Sequence, residues 1–214
     1  MSAREEILRR VRDATTDVTT SAGATPREPL TGSGAVGADG LTQFVETVED
    51  YRADVVRVGP DGVAAAITAA LRERGCGSVV VPEGLEPTWV DAVAEVAEVR
   101  RESQTRTHAD LDATDGVVTA AALGIAVTGT IVLDHRADQG RRALTLVPDT
   151  HVCVVRADQV VQDVPDAVAR LRPDAGDARP LTWISGPSAT SDIELQRVEG
   201  VHGPRNLVVL LVEG

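Results

Sequence analysis

Apolar positions along this chain follow two periods. Ile7, Leu8 and Val11 recur at helical spacing behind Ser2-Ala3-Arg4-Glu5, a capping-box sequence, and predict an amphipathic helix over residues 2–13. Leu41, Phe44, Val45, Val48 and Tyr51 form a second helical stripe. Val63, Ile67, Ala70 and Leu71 form a third, which ends at Gly75. Between the stripes, Val55–Val58 and Ser78–Val81 are short apolar runs that read as strands. Pro87 opens a helix to about Ala94, and a weak strand follows near Val96–Val99. Alternating strand and helix predicts a parallel sheet with crossover helices.

The second half of the chain has a different rhythm. Strands are predicted from Val117 to Gly124, at Ile125–Val127, Ile131–Leu133, Leu144–Val147 and His151–Val155. A helix over Pro165–Leu171 precedes two more apolar runs, Leu181–Ile184 and Leu207–Val212. Strands separated by tight turns imply that part of the sheet is antiparallel. Between Ala14 and Ala38 the composition turns to Thr, Ser, Gly and Pro, the mark of a long loop or linker. The expected organisation is an N-terminal helix and linker over residues 1–38 and one α/β domain over residues 39–214.

The last two apolar runs flank Ser185–Arg205, SGPSATSDIELQRVEGVHGPR, dense in small and ionisable residues. Connections at the ends of core strands are where α/β folds place binding sites. Ser191-Asp192-Ile193-Glu194 has the form of a capping box and predicts a two-turn helix from about Asp192 to Glu199. Glu194 and Asp192 are then either cap and dipole partners or site carboxylates. The loop before that helix, with Ser185, Gly186, Ser188, Thr190 and Ser191, offers amides and hydroxyls to an anion. His202, Gly203 and Arg205 fall in no helical or strand pattern, which marks them as candidate ligand contacts. Two carboxylates would repel a phosphate and suit a hydroxylated ligand. Glu194 and His202 are the candidate catalytic bases, and Arg205 is the candidate anion clamp.

Composition narrows the chemistry. The chain has 214 residues and 43% hydrophobic positions, enough for a full core, and a net charge of −12. That charge argues against nucleic acid or an anionic membrane as partner. All 21 basic residues are arginine, so lysine Schiff bases and Walker-type phosphate lysines are excluded. Fixed positive charge must come from guanidinium groups, which favour carboxylate and phosphate. Two cysteines, Cys76 and Cys153, make neither a disulfide framework nor a four-thiolate cluster site, and no metal or cofactor is expected. No apolar stretch is long enough to span a bilayer and the N-terminus is charged, so the expected location is the cytoplasm.

Two further stretches are candidates. Thr128-Gly129-Thr130 is a small-residue turn that either approaches a ligand closely or forms a bulge. Gln139-Gly140-Arg141-Arg142 carries a pair of arginines, and Arg141 is taken as a candidate anion contact. His108, His135 and His151 lack metal-ligand spacing, and His151 reads as a structural residue opening a strand. The nucleophile elbow of serine hydrolases and the dinucleotide fingerprint are both missing.

Together, Ile125–Leu133 (IAVTGTIVL), Gln139–Arg142 (QGRR), Leu146–Arg156 (LVPDTHVCVVR), Ile184–Glu194 (ISGPSATSDIE) and Gly200–Arg205 (GVHGPR) resemble the lactate-utilisation protein C family of the LUD-domain superfamily. The resemblance implies a NagB/RpiA/CoA-transferase-like three-layer α/β sandwich with a mixed, mostly parallel sheet, related to folate cyclo-ligase, plus the N-terminal helix. It implies a non-redox component of a system that oxidises L-lactate to pyruvate with iron–sulfur partner proteins, binding a small anionic metabolite. The alternative is a stand-alone enzyme, isomerase- or transferase-like, acting on a phosphorylated or carboxylated metabolite; an ATP-dependent ligase fits less well without a lysine. The family commonly has a glutamate just before Thr-Gly-Thr, where this chain has Val127.

Overall fold

The computed structural model describes residues 3–16, 34–105, 107–171, 179–190, 198–199 and 203–214. In chain order its elements are α1 (Ala3–Ala14), α2 (Ala38–Asp50), β1 (Asp54–Val58), α3 (Val63–Glu73), β2 (Ser78–Val81), α4 (Pro87–Ala94), β3 (Glu98–Arg101), α5 (His108–Asp112) and β4 (Gly116–Ala120). They continue with β5 (Leu123–Ile125), β6 (Thr130–Leu133), β7 (Thr150–Arg156), β8 (Val160–Val161), α6 (Val164–Leu171), β9 (Thr182–Ile184), β10 (Ala189–Thr190), β11 (Val198–Glu199) and β12 (Asn206–Val212).

Six strands in the order β1-β12-β7-β4-β2-β3 form a wholly parallel sheet. Its central strands are apolar on both faces, as a doubly covered sheet requires. Val79, Val81, Val152, Val154, Val208 and Leu210 pack under Ile67 and Leu71 of α3 and Val90 and Val93 of α4. The alternate residues Cys153, Val155, Val209 and Leu211 pack under Phe44 and Val48 of α2 and under Ile131 and Leu133 of β6. β10 and β11 form an antiparallel pair of their own, and a separate sheet, β8-β5-β6-β9, holds the antiparallel pairs β5–β6 and β6–β9 and the parallel pair β5–β8. Ala167 of α6 joins Leu123, Ile125, Val132 and Val161 in the cluster on its far face. The architecture is the expected layered α/β fold. Cys153 is fully buried and its thiol is pushed up to about 12 by burial, so it behaves as a small hydrophobe.

Local chemistry explains the element ends. After α3 the Cys76 amide donates to the Leu71 carbonyl at 3.0 Å and the Gly75 amide to that of Arg72 at 3.1 Å, with Gly75 at φ 65°. This is a Schellman closure, which needs the left-handed residue that glycine supplies. Pro87 opens α4, where its missing N–H leaves no helical bond unmade.

Three expectations are corrected. The run Leu144–Val147 is no strand: Arg142–Thr145 forms a 3-10 turn, because Leu144 is drawn into a cluster with Val80, Leu111 and Val117. The single strand expected from Val117 to Gly124 is two strands, β4 and β5, in different sheets, and the chain crosses between them at Ala121-Ala122. The helix expected over residues 192–199 does not reach its end, since Val198 and Glu199 pair in antiparallel fashion with Thr190 and Ala189. The rest of that segment, with Ser191, Asp192 and Glu194, lies outside the described residues, as does His202.

Candidate functional site

The amino ends of β7 and β12 meet the carboxyl end of β9, and there the surface folds into a cavity of about 250 Å³. One wall is the loop Ser185–Ser188 that leaves β9. The opposite wall is Gly203-Pro204, which leads into β12. The Ser188 amide donates to the Pro204 carbonyl at 2.8 Å and ties the two walls together. Gly186 has φ 79°, and a Cβ there would stand 2.6 Å from that of Tyr51, so this loop lies flat on the end of α2. Trp183 lines the mouth, and Arg142, Thr145 and His151 form the floor.

Arg142 is the cation of this cavity. Its Nη1 lies 3.3 Å from both the carbonyl and the hydroxyl of Thr145, and no carboxylate pairs with it among the described residues. Partial burial pulls its pKa below the usual arginine value, yet it stays charged at any physiological pH. His151 beneath it is 1% exposed, and its Nε2 lies 2.8 Å from the Thr119 hydroxyl. Burial, with the Arg142 charge second, depresses the imidazole to about 3, so it is neutral in the folded protein. No acidic side chain is among the described residues lining this space. Arg142 is thus the charged side chain among the described residues that line the cavity.

The structure gathers some of the sequence candidates and separates others. Ser185, Gly186, Ser188 and Gly203 line the cavity. The Thr128-Gly129-Thr130 turn reaches it indirectly: the Thr130 hydroxyl bonds to that of Thr128 at 2.7 Å and to that of Ser185 at 2.8 Å. Gly129 itself faces α2, not a ligand: a Cβ there would sit 2.6 Å from the Thr47 carbonyl oxygen. Of Thr190 the backbone alone is described, in β10.

Arg141 and Arg205 are not brought into the cavity. Arg141 donates to the Thr105 carbonyl and lies 3.6 Å from the Glu102 carboxylate, so its charge anchors the turn after β3. Arg205 lies 3.4 Å from Asp149 and borders a different cavity, beside Arg74 and Asp115. The arginine that does reach the site, Arg142, is the second of the QGRR pair. That motif narrows the choice to two side chains, and the tertiary contacts of Arg141 with Glu102 and Thr105, 39 and 36 positions earlier, decide it.

Fold and cavity together define an α/β protein with an arginine-lined cavity at a strand junction. The chain belongs to the LUD domain family, whose model matches residues 41–212. It is 49% identical to lactate utilization protein C of Deinococcus radiodurans over 175 residues, covering 82% of this chain and 80% of that protein. It is 30% identical to lactate utilization protein C of Bacillus pumilus over 200 residues, covering 82% of each. Among solved structures it resembles a DUF162 family protein from Deinococcus radiodurans, with TM-score 0.70 and 43% identity over 82% of this chain and 98% of that one.

Proposed function

We propose that the protein is a non-redox component of an L-lactate utilisation system and holds a small carboxylate against Arg142. The observation that carries this reading is one guanidinium without a carboxylate partner among the described residues, set in a cavity whose described lining holds no acid. Planar guanidinium groups recognise carboxylates through paired N–H donors. Ser185, whose hydroxyl is shared with that of Thr130, lies at the same rim. The names of the relatives point to lactate utilisation; on our reading the protein serves it beside iron–sulfur partner proteins in the cytoplasm. Val127 is 48% exposed beside the Thr-Gly-Thr turn, so this turn lacks the glutamate common in the resembling family, which favours binding over catalysis.

A bound anion stabilises the native state by mass action. L-Lactate, pyruvate and inorganic phosphate are therefore each to be scanned for a rise in Tm. At least one carboxylate is expected to raise Tm in a saturable way, and Arg142→Ala is expected to weaken its binding at least tenfold, in the range of a lost charged hydrogen bond of about 1.5–3 kcal/mol. Equal shifts in the wild type and in Arg142→Ala would remove the reading. Turnover of any probe by the isolated chain would favour an enzyme instead.

A further inference from the structure

Helix α1 presents an open apolar face. Ile7, Leu8 and Val11 share one side of it and are all exposed, Ile7 at 61% and Val11 at 54%, and none of its described residues is buried. Its polar side is closed on itself: Arg9 pairs with Glu6 at 2.8 Å and with Asp13 at 2.9 Å, and Arg10 with Glu6 at 2.8 Å. A helix of 12 residues is marginal alone in water and draws its stability from burying such a face. It also precedes residues 41–212, which match the family model, so that match does not define its seat.

The body offers a matching face on α6. Val164, Ala167, Val168 and Leu171 recur at helical spacing and form one stripe. The small sheet takes half of it: Ala167 is fully buried and Leu171 packs beside it, whereas Val164 and Val168 are exposed. Chain connectivity brings α1 to this place. The Val36 amide donates to the Val160 carbonyl at 3.0 Å, so the chain coming from α1 joins the body at β8, just before α6 begins. Residues 17–33 separate α1 from that junction, and a stretch of this length reaches up to about 60 Å. Tethering gives α1 an effective concentration on the order of millimolar beside α6, ahead of a free partner. Tyr51, Val56, Leu181 and Trp183 are exposed as well, but they lie near β1 and β9 and form no helical stripe.

We infer that α1 docks on the outer side of α6 of its own chain, antiparallel to it, with Val11 over Val164 and Ile7 over Val168. Each pair of residues is one helical turn apart, so the two steps match. Charge sets the direction. Each helix is acidic in its first turn and basic in its last, with Glu5 and Glu6 then Arg12 in α1, and Asp166 then Arg170 in α6. Antiparallel packing puts Arg12 beside Asp166 and Glu5 beside Arg170, whereas parallel packing sets like charges together. The docking stands apart from the Arg142 cavity and needs no ligand there.

Cysteine pairs test this in the full chain, since Cys76 and Cys153 are buried. Val11→Cys with Val164→Cys is expected to form an intramolecular disulfide about tenfold faster than Val11→Cys with Val56→Cys, whose partner on β1 is similarly exposed. Equal rates would mean that α1 has no fixed seat, and covalent dimers that it seats on a second copy; either overturns the assignment. Trypsin reports the same contact without new thiols, because cleavage after Arg9, Arg10 or Arg12 requires α1 to leave its seat. Val164→Asp with Val168→Asp is expected to speed that cleavage about tenfold. Ile7→Ala with Val11→Ala is expected to do the same; it keeps helix-forming residues, leaves the body untouched and serves should the first pair fail to fold. Unchanged cleavage in either folded double variant would also overturn the assignment.

Discussion

Acidification from pH 7 to pH 5 is expected to destabilise the protein by roughly 2 kcal/mol through one residue, His151. Its imidazole titrates near 6.5 in an unfolded chain but is held to about 3 in the fold, by burial first and by the nearby Arg142 second. Between those values the unfolded chain binds a proton that the folded chain refuses. Stability is then fully present above about pH 6.5 and falls by about 1.4 kcal/mol per pH unit as pH drops toward 3. Carboxylates add their own acid losses mostly below pH 5, so the interval from 5 to 6.5 isolates this group. Urea denaturation at closely spaced pH values measures the slope. His151→Gln keeps a polar group near the Thr119 hydroxyl and removes the proton site, so its slope in that interval should flatten. Parallel curves for wild type and variant would mean that the buried neutral imidazole is not the cause. The same residue links fold to site: an anion neutralising Arg142 removes one of the two causes holding His151 low, and is expected to raise its proton affinity.

Much of the frame was legible because period and punctuation agree. The stripe Val63, Ile67, Ala70, Leu71 followed by Gly75 predicts both a helix and its closure, and the structure has both. Doubly apolar runs such as Val79–Val81 and Leu207–Val212 announce strands covered on both faces. Short runs carry no such redundancy. Leu144-Thr145-Leu146-Val147 has strand-like residues, yet Leu144 is needed under α5, and a four-residue apolar run cannot announce that. Nor does sequence reveal which strand belongs to which sheet. The crossing at Ala121-Ala122 is set by Leu123 and Ile125 packing toward α6, a contact some 40 residues away along the chain. The candidate cavity was legible as a set of loops, since Ser185–Ser188 and Gly203 do converge on it. Its cation was not, because Arg141 and Arg142 differ only in what the fold brings beside them: Glu102 for one, open cavity for the other.

Gly129→Val is expected to destabilise the protein by about 3–5 kcal/mol, a large share of the stability of a domain this size. Gly129 has φ 56°, a conformation that a β-branched residue resists. A Cβ there would also lie 2.6 Å from the Thr47 carbonyl oxygen and 2.8 Å from the Val48 amide nitrogen. Those atoms are backbone of α2, so no side-chain rotation relieves the clash; the helix must move. Phe44 and Val48 on the same helix are fully buried against the parallel sheet and cannot follow freely. The Thr47 hydroxyl also donates to the Ala126 carbonyl at 2.7 Å, a bond that the same displacement breaks. The turn that the sequence offers as a place of close ligand approach thus serves the close approach of a helix. Its effect on the site passes through Thr130, whose hydroxyl holds that of Ser185 at 2.8 Å on the wall of the Arg142 cavity. The urea midpoint of Gly129→Val against Val127→Ala, an exposed neighbour expected to change stability by less than about 0.5 kcal/mol, measures the difference. Equal midpoints would show that α2 is not seated on this turn, and the route from Gly129 to Ser185 would fall with it.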